Sequence, residues 1–286
     1  MANIRELNRK ISSLWNMKKV MSAMNMIAST KFSKLLTRQA ALLKFEESLS
    51  AIQESLFKML ARSSHPLVTG AAQPAKTHLI IFTADRGLCG AHNSSVLKAA
   101  AALIKKAKNN GGDFDITAVG LKGANFCRKK EFPLYHSIDI NEKSLTDEDI
   151  LRIARTVVNR FQKGEISEVY VIFNRFASAL SQPTITKKIL PLSIPTASED
   201  NSHITCDLSP RELAVLSVPL LIFYRLKSVL ANSYISEHGA RMTAMENASN
   251  NSQDLIDRYG TIKNRARQTA ITNELTEIVS GKEAMK

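Results

Sequence analysis

Apolar residues stand at strict seven-residue intervals through the start of the chain: Leu7, Leu14, Met21, Ala28, Leu35, Leu42, Leu49 and Leu56. Neither proline nor glycine occurs between Met1 and Ala61, so nothing in the backbone chemistry interrupts a helix, and the spacing predicts one very long helix over residues 1–62. At about 1.5 Å per residue such a helix runs for roughly 90 Å, several times what a small domain buries. It therefore projects, and a partner must hold it. The second seam row lies three residues before the first and is mixed: Ile4, Ile11, Lys18, Asn25, Phe32, Gln39, Glu46, Gln53 and Leu60. A half-polar seam suits a solvated antiparallel partner better than a dry parallel zipper. The seven-residue period makes the supercoil left-handed.

Near Arg62 the pattern decays, and Thr69-Gly70-Ala71-Ala72-Gln73-Pro74 reads as a linker into different material. Compact apolar runs at Thr77–Thr83, Asp115–Val119 and Glu168–Phe173 are bounded by turn residues and predict strands. Helical stretches, 93–108 and 146–162, lie between them. Strands alternating with helices of this length specify a mostly parallel sheet covered on both faces. The stretch 182–192, with Pro183 and Pro191 near its ends, suits an edge strand. Residues 75–195 are therefore assigned to a Rossmann-like α/β domain.

Ser209-Pro210-Arg211-Glu212 is a capping box with proline at the first helical position. It opens a third region, 209–281. Pro219 is expected to kink or restart the helix there, after which it runs to about Gly281 with Leu255, Tyr259, Ile262, Ala266, Ala270, Ile271, Leu275 and Ile278 on an apolar stripe. Gly239 and Gly260 weaken it locally, and the small residues Ala240, Ala244, Ala248, Ser249 and Ser252 allow close approach of another helix. The fold class expected is mixed α and β: a long antiparallel coiled coil of the two terminal helices, with the mostly parallel α/β domain between them.

With 44% apolar and 23% charged residues in 286, the chain has the composition of a protein with a packed core. The longest apolar run, Val218–Tyr224, contains Pro219 and is far shorter than the roughly 20 residues of a membrane span. No signal-peptide pattern precedes the heptads. Cys89, Cys127 and Cys206 are odd in number and widely spaced, which fits buried thiols in a reducing compartment. Net charge is +13, with Arg5, Arg9, Lys10, Lys18, Lys19, Lys31, Lys34 and Arg38 opposed early only by Glu6, so an acidic partner is implied.

Catalytic chemistry is hard to find. The one glycine-rich turn after a strand, Ala84 to Asn93, lacks the lysine and hydroxyl of a phosphate loop and the three spaced glycines of a dinucleotide fingerprint. A tight strand-to-helix turn, with Asp85 and Asn93 making local backbone hydrogen bonds, explains it better. Cys89 and His92 have ligand-like spacing but no second pair to complete a metal site. Ser236-Glu237-His238 are adjacent on a helix, point about 100° apart, and read as a solvated or partner-facing surface. Catalytic, cofactor and metal residues are expected to be absent.

Three stretches carry a resemblance to a known family: Asn16 to Lys31 (NMKKVMSAMNMIASTK), Thr83 to Gly90 (TADRGLCG), and in the tail Ser236 to Ala248 (SEHGARMTAMENA) with Asn264 to Val279 (NRARQTAITNELTEIV). The chain resembles, from end to end, the gamma subunit of the F-type ATP synthase, the central rotor shaft. The resemblance implies a non-catalytic subunit, present once in the complex, whose terminal helices enter a ring of three alpha and three beta subunits. Its α/β domain would bind the epsilon subunit and the membrane ring of c subunits. It further implies contact roles for Lys18, Lys19 and Met24 against an acidic beta-subunit loop, and for Arg241, Arg267, Gln268 and Thr272 along the tail. Ser22 stands where the family commonly has lysine, Gly239 where it has alanine, and Arg258-Tyr259-Gly260 departs from an apolar stretch. The regulatory cysteine pair of plastid relatives is missing, which points to a bacterial-type subunit, peripheral on the cytoplasmic face of the inner membrane. Two other classes remain to be weighed: a DNA binder of the basic-zipper kind, in which basic residues would precede the heptads instead of lying among them, and a nucleotide-dependent enzyme using the middle domain.

Overall fold

The computed structural model describes residues 4–60, 67, 70, 75–109, 111–139, 146–192 and 209–285, with side chains along the first helix described only in part. The elements in chain order are α1 (Ile4–Leu60), β1 (Lys76–Phe82), α2 (His92–Asn109), β2 (Phe114–Val119), α3 (Leu121–Lys129), β3 (Leu134–Ile138), α4 (Asp147–Gln162), β4 (Ile166–Asn174), β5 (Thr184–Leu190) and α5 (Pro210–Ala284). The chain forms two compact units. One contains Met1–Ser29 and Arg241–Lys286, the other Thr30–Ala240.

In the first unit α1 and α5 pair antiparallel. Lys10 Nζ lies 6.0 Å from the Tyr259 ring centroid, Lys18 Nζ donates to Gln253 Oε1 at 2.7 Å, and Ser252 Oγ is 3.6 Å from Met21 Sδ, so numbers rise on one helix as they fall on the other. The covered positions of α1 are Ile4, Leu7, Ile11, Leu14, Lys18, Met21, Asn25 and Ala28, both seam rows of the heptad pattern. Leu42, Leu49 and Leu56 lie outside the described side chains. On α5 the covered positions include Met245, Ser249, Ser252, Ile256, Tyr259, Lys263, Ala266 and Ala270, a row of alternating steps of four and three, with Ala248, Gln253 and Gly260 flanking it. The expected stripe is met at Tyr259, Ala266 and Ala270 and corrected at Leu255 and Ile262, which are 39% and 38% exposed. The helix follows the heptad period of α1, and Leu255 and Ile262 each stand one position from a seam residue. Residues 271–285 are exposed at every position.

The second unit is built on a five-stranded sheet of order β3-β2-β1-β4-β5, parallel except for the antiparallel edge strand β5. Alternate residues of β1 serve the two faces, as a strand's period of two dictates. Ile80 and Phe82 pack with α4 and the first half of α5, while Leu79 and Ile81 pack with Val96, Ala100 and Ile104 of α2 and Ala124 and Cys127 of α3. Helix α4 starts at a complete capping box between Thr146 and Asp149, and α5 at the one formed by Ser209 and Glu212. The short strand β3 and helix α3 are additions to the expected elements. Five residues of mixed polarity and a helix containing Gly123 give little periodic signal.

Pro219 does not restart a helix: α5 is one element through it. Ala214, Val218, Leu221, Ile222 and Leu226 are buried against the sheet on both sides of the proline, and that packing outweighs the lost backbone hydrogen bond. One stretch of α5 is long and apolar enough in composition to cross a membrane, and 39% of it is buried within the chain.

Candidate functional site

Open α/β sheets bind ligands beyond the carboxyl ends of their strands, where phosphates sit on free helix N-terminal amides. Here that place is occupied by the chain itself. Leaving β1, Thr83, Ala84 and Asp85 lie against the start of α3. The Leu121 amide donates to Asp85 Oδ1 at 2.8 Å, the Lys122 amide to the Ala84 carbonyl at 3.2 Å and the Gly123 amide to Thr83 Oγ1 at 2.8 Å. A carboxylate, a carbonyl and a hydroxyl thus satisfy the first three orphan donors of the helix, as a phosphate would. Asn93 completes the turn by accepting the Ala84 amide at 2.8 Å. Asn93 is therefore local, as expected, but Asp85 reaches across to another crossover. Gly120 makes the approach possible: its φ is +104°, and a Cβ there would stand 2.0 Å from the Thr83 carbonyl oxygen.

A second polar cluster lies under α4. Asp115 bonds to both His78 and Arg160, with Arg160 Nη2 at 2.5 Å from Oδ2. Arg160 also reaches Glu165 at 3.1 Å and lies 3.9 Å below the Tyr135 ring. Burial alone would raise the Asp115 carboxyl, but hydrogen bonds from His78 and Arg160 and their charges outweigh it and hold it below the usual carboxylate range. Thr117 Oγ1 sits 3.1 Å from His78 Nε2, so hydroxyl, imidazole and carboxylate stand in the order of a hydrolase triad beside a cavity of about 420 Å³. The resemblance stops there. Thr117 is buried in a ladder-paired strand whose amides are committed to the sheet, so no pair of donors is aimed where an oxyanion would form. The cluster is suited to fixing α4 on the sheet.

Among the described residues no group of three or more His, Cys, Asp or Glu side chains could hold a metal. Cys89 and Cys127 are buried, and burial pushes the Cys127 thiol up to about 11; Cys206 lies outside the described residues. Ser236 and His238 are not at a solvated surface as expected but buried, with Ser236 Oγ donating to the Asn174 carbonyl at 3.0 Å. They point to different sides of the helix, so α5 is covered on more than one side here, which a polar triplet read alone does not reveal.

The candidate contact residues divide by exposure. Lys19, Arg267, Gln268 and Thr272 are exposed, Lys18 and Met24 are half-buried, and Arg241 is buried. Lys18 is drawn into the helix pair by Gln253. Thr272 donates its hydroxyl to the Gln268 carbonyl at 2.9 Å, leaving its methyl outward-facing on an exposed turn.

Comparison with known proteins decides the family. The sequence model of the family described as ATP synthase matches residues 3–285. The chain belongs to the ATP synthase gamma-chain family. It is 33% identical to the ATP synthase gamma chain of Brevibacillus brevis over 284 residues, 98% of each chain, and 32% identical to that of Paracoccus denitrificans over 291, spanning all of both. Its fold is similar to a chain of the Tetrahymena thermophila mitochondrial ATP synthase central stalk and c-ring, with a TM-score of 0.62 and 27% identity over 80% of this chain and 99% of that one. A chain of the Euglena gracilis mitochondrial enzyme, 17% identical, shares the fold over 99% of this chain and 94% of its own with a TM-score of 0.70. For a gamma-chain family member, the self-filled crevice and the paired terminal helices are the two features that bear on function.

Proposed function

We propose that this chain is the non-catalytic rotor shaft of a bacterial ATP synthase, peripheral on the cytoplasmic face of the membrane. Its paired ends stand inside an alpha3-beta3 ring, and its α/β domain joins the epsilon subunit and the c-subunit ring. The observation that carries this reading is the antiparallel pair of α1 and α5, from which residues 271–285 of α5 continue with every position exposed, Ile271, Leu275, Ile278 and Val279 among them. Apolar side chains held out on a lone helix are stable when a surrounding surface covers them.

The mechanism follows from symmetry. A single asymmetric shaft cannot touch three equivalent beta subunits alike, so at each angle it favours a different conformation in each. A partner biases a conformational equilibrium only by its differential contact energy, and rotation redistributes that energy among the three sites. Linkage makes the coupling reciprocal, so ATP hydrolysis drives the shaft backwards. Lys19, Arg267, Gln268 and Thr272, exposed on the two helices, are suited to such contacts, while Lys18 and Met24 reach a partner from the rim of the seam. Arg241 is better suited to holding the helices than to touching the ring.

Thr83, Ala84 and Asp85 take up the first amides of α3, so a phosphate cannot use that helix start, which supports the non-catalytic reading. Calorimetry of the purified chain with ATP is expected to give no binding in the micromolar range; saturable micromolar binding overturns the non-catalytic reading. Tagged beta subunit is expected to co-purify this chain at one copy for every three beta subunits, and equal stoichiometry overturns the shaft.

A further inference from the structure

The first half of α5 is held to the sheet by apolar contacts, from Ala214 to Leu230. Such contacts resist separation but are non-directional and resist twisting poorly. Resistance to twist needs directional bonds or interlocked shapes, and both occur together at the carboxyl end of β4. Asn174 is buried and bonded on every polar group: Nδ2 donates to the His92 carbonyl at 2.8 Å, Oδ1 accepts from Thr184 Oγ1 at 2.7 Å and Ser95 Oγ at 3.2 Å, and its carbonyl accepts from Ser236 Oγ of α5 at 3.0 Å. One side chain thereby joins α2, β4 and β5, and its own carbonyl holds the long helix. Three residues along α5, Gly239 faces the edge-to-face pair of Phe32 from α1 and Phe176 from the turn after β4, whose centroids are 5.5 Å apart. A Cβ at Gly239 would stand 3.2 Å from the Phe32 ring, so the aromatic ring closes directly on the helix backbone.

We propose that Asn174 and Ser236, with Phe32 and Phe176 closing over Gly239, form a torsional anchor that fixes the angular setting of α5 on the α/β domain. The proposal rests on the shaft reading: torque entering at the α/β domain leaves along α5, and slip or twist at this point dissipates it. These are positioning residues, and the ion pair between Lys227 of α5 and Asp147 of α4, exposed and 2.7 Å long, is too solvated to replace them.

The test uses the assembled enzyme with a probe on the c ring and the catalytic ring fixed to a surface, reading the angular fluctuations of the rotor when stalled. Ser236→Ala removes the bond from α5. Thr184→Val, nearly isosteric, loosens Asn174 without touching α5 and serves where Ser236→Ala does not assemble. Each variant is expected to broaden the angular variance about twofold, the low end of what one neutral hydrogen bond contributes to an equilibrium. Unloaded ATP hydrolysis stays at the parent rate. A merely structural role lowers the melting temperature yet leaves the variance at room temperature unchanged, and parent-like variance in an assembled variant overturns the anchor. A parent complex that hydrolyses ATP without rotating this chain overturns the shaft reading instead, so the two failures are distinguishable.

Discussion

At single residues, the strongest constraints come from contacts between distant parts of the chain. Gly120 has a left-handed backbone and no room for a Cβ beside the Thr83 carbonyl. Gly120→Ala is therefore expected to destabilise the α/β domain by about 3 kcal/mol or more, combining backbone strain with overpacking, as read by urea denaturation. Asp115 makes a pH-dependent contribution. Its folded carboxyl titrates below the unfolded value of about 4. The stabilisation it provides is thus complete above that unfolded value and is lost as pH falls through the folded one. Asp115→Asn is expected to cost about 3 kcal/mol at neutral pH, because it leaves the buried Arg160 with only the half-exposed Glu165 as a carboxylate partner. It should also flatten the acid limb of the stability curve, and denaturant titrations at pH 7 and pH 3 measure both effects. The sequence could mark Asp85 as a turn former, but its bond to the Leu121 amide spans 36 residues and depends on two crossovers meeting. The His78, Asp115 and Arg160 cluster was equally hidden, since each member lies on a different element.

Among elements, those with strong periodicity were legible and those without it were not. Both heptad rows of α1 are covered where its side chains are described, because a period carried over many turns averages out single polar residues such as Lys18 and Asn25. Strands β1, β2 and β4 stand out as apolar runs between turn residues and β5 as an edge strand between two prolines; β3 is too short and too mixed to do so. On α5 the expected stripe includes the seam residues Tyr259, Ala266 and Ala270 but also takes in Leu255 and Ile262, because large residues flank the seam where small ones often sit. This gives a sharp contrast between neighbours. Ile256 is buried at the seam and Leu255 is not, so Ile256→Ala is expected to cost about 2 to 4 kcal/mol. Leu255→Ala should cost about 0.5 kcal/mol or less. Thermal unfolding followed by helix circular dichroism compares them, and equal losses would move the seam back to the Leu255 row.

At the scale of the whole molecule, the positive charge has two sources instead of one. Besides the early basic residues, α2 and α3 carry Lys98, Lys105, Lys106, Lys108, Lys122, Arg128 and Lys129 and no acidic residue at all. Lys106, Lys108, Arg128 and Lys129 fall in last turns, where cations offset the helix dipole, so part of this charge stabilises the domain and needs no partner. The early residues on α1 have no such role, because they lie far from that helix's carboxyl end, and they remain the better evidence for an acidic surface beside the shaft. The free end of α5 is the other feature whose cause lies outside the chain. From Thr272 to Met285 no side chain is buried, so removing that segment takes away no core contact among the described residues. Deleting residues 272–286 is therefore expected to leave the unfolding midpoint of the α/β domain unchanged, and with it the pairing of α1 to the seam that ends at Ala270. In reconstituted vesicles the same deletion should lower ATP synthesis at a fixed ion gradient well below the parent rate, because the exposed apolar residues no longer meet the ring. Synthesis at the parent rate would mean that the shaft is guided by the paired helices alone, and a fallen unfolding midpoint would mean that the end of α5 is packed on its own chain.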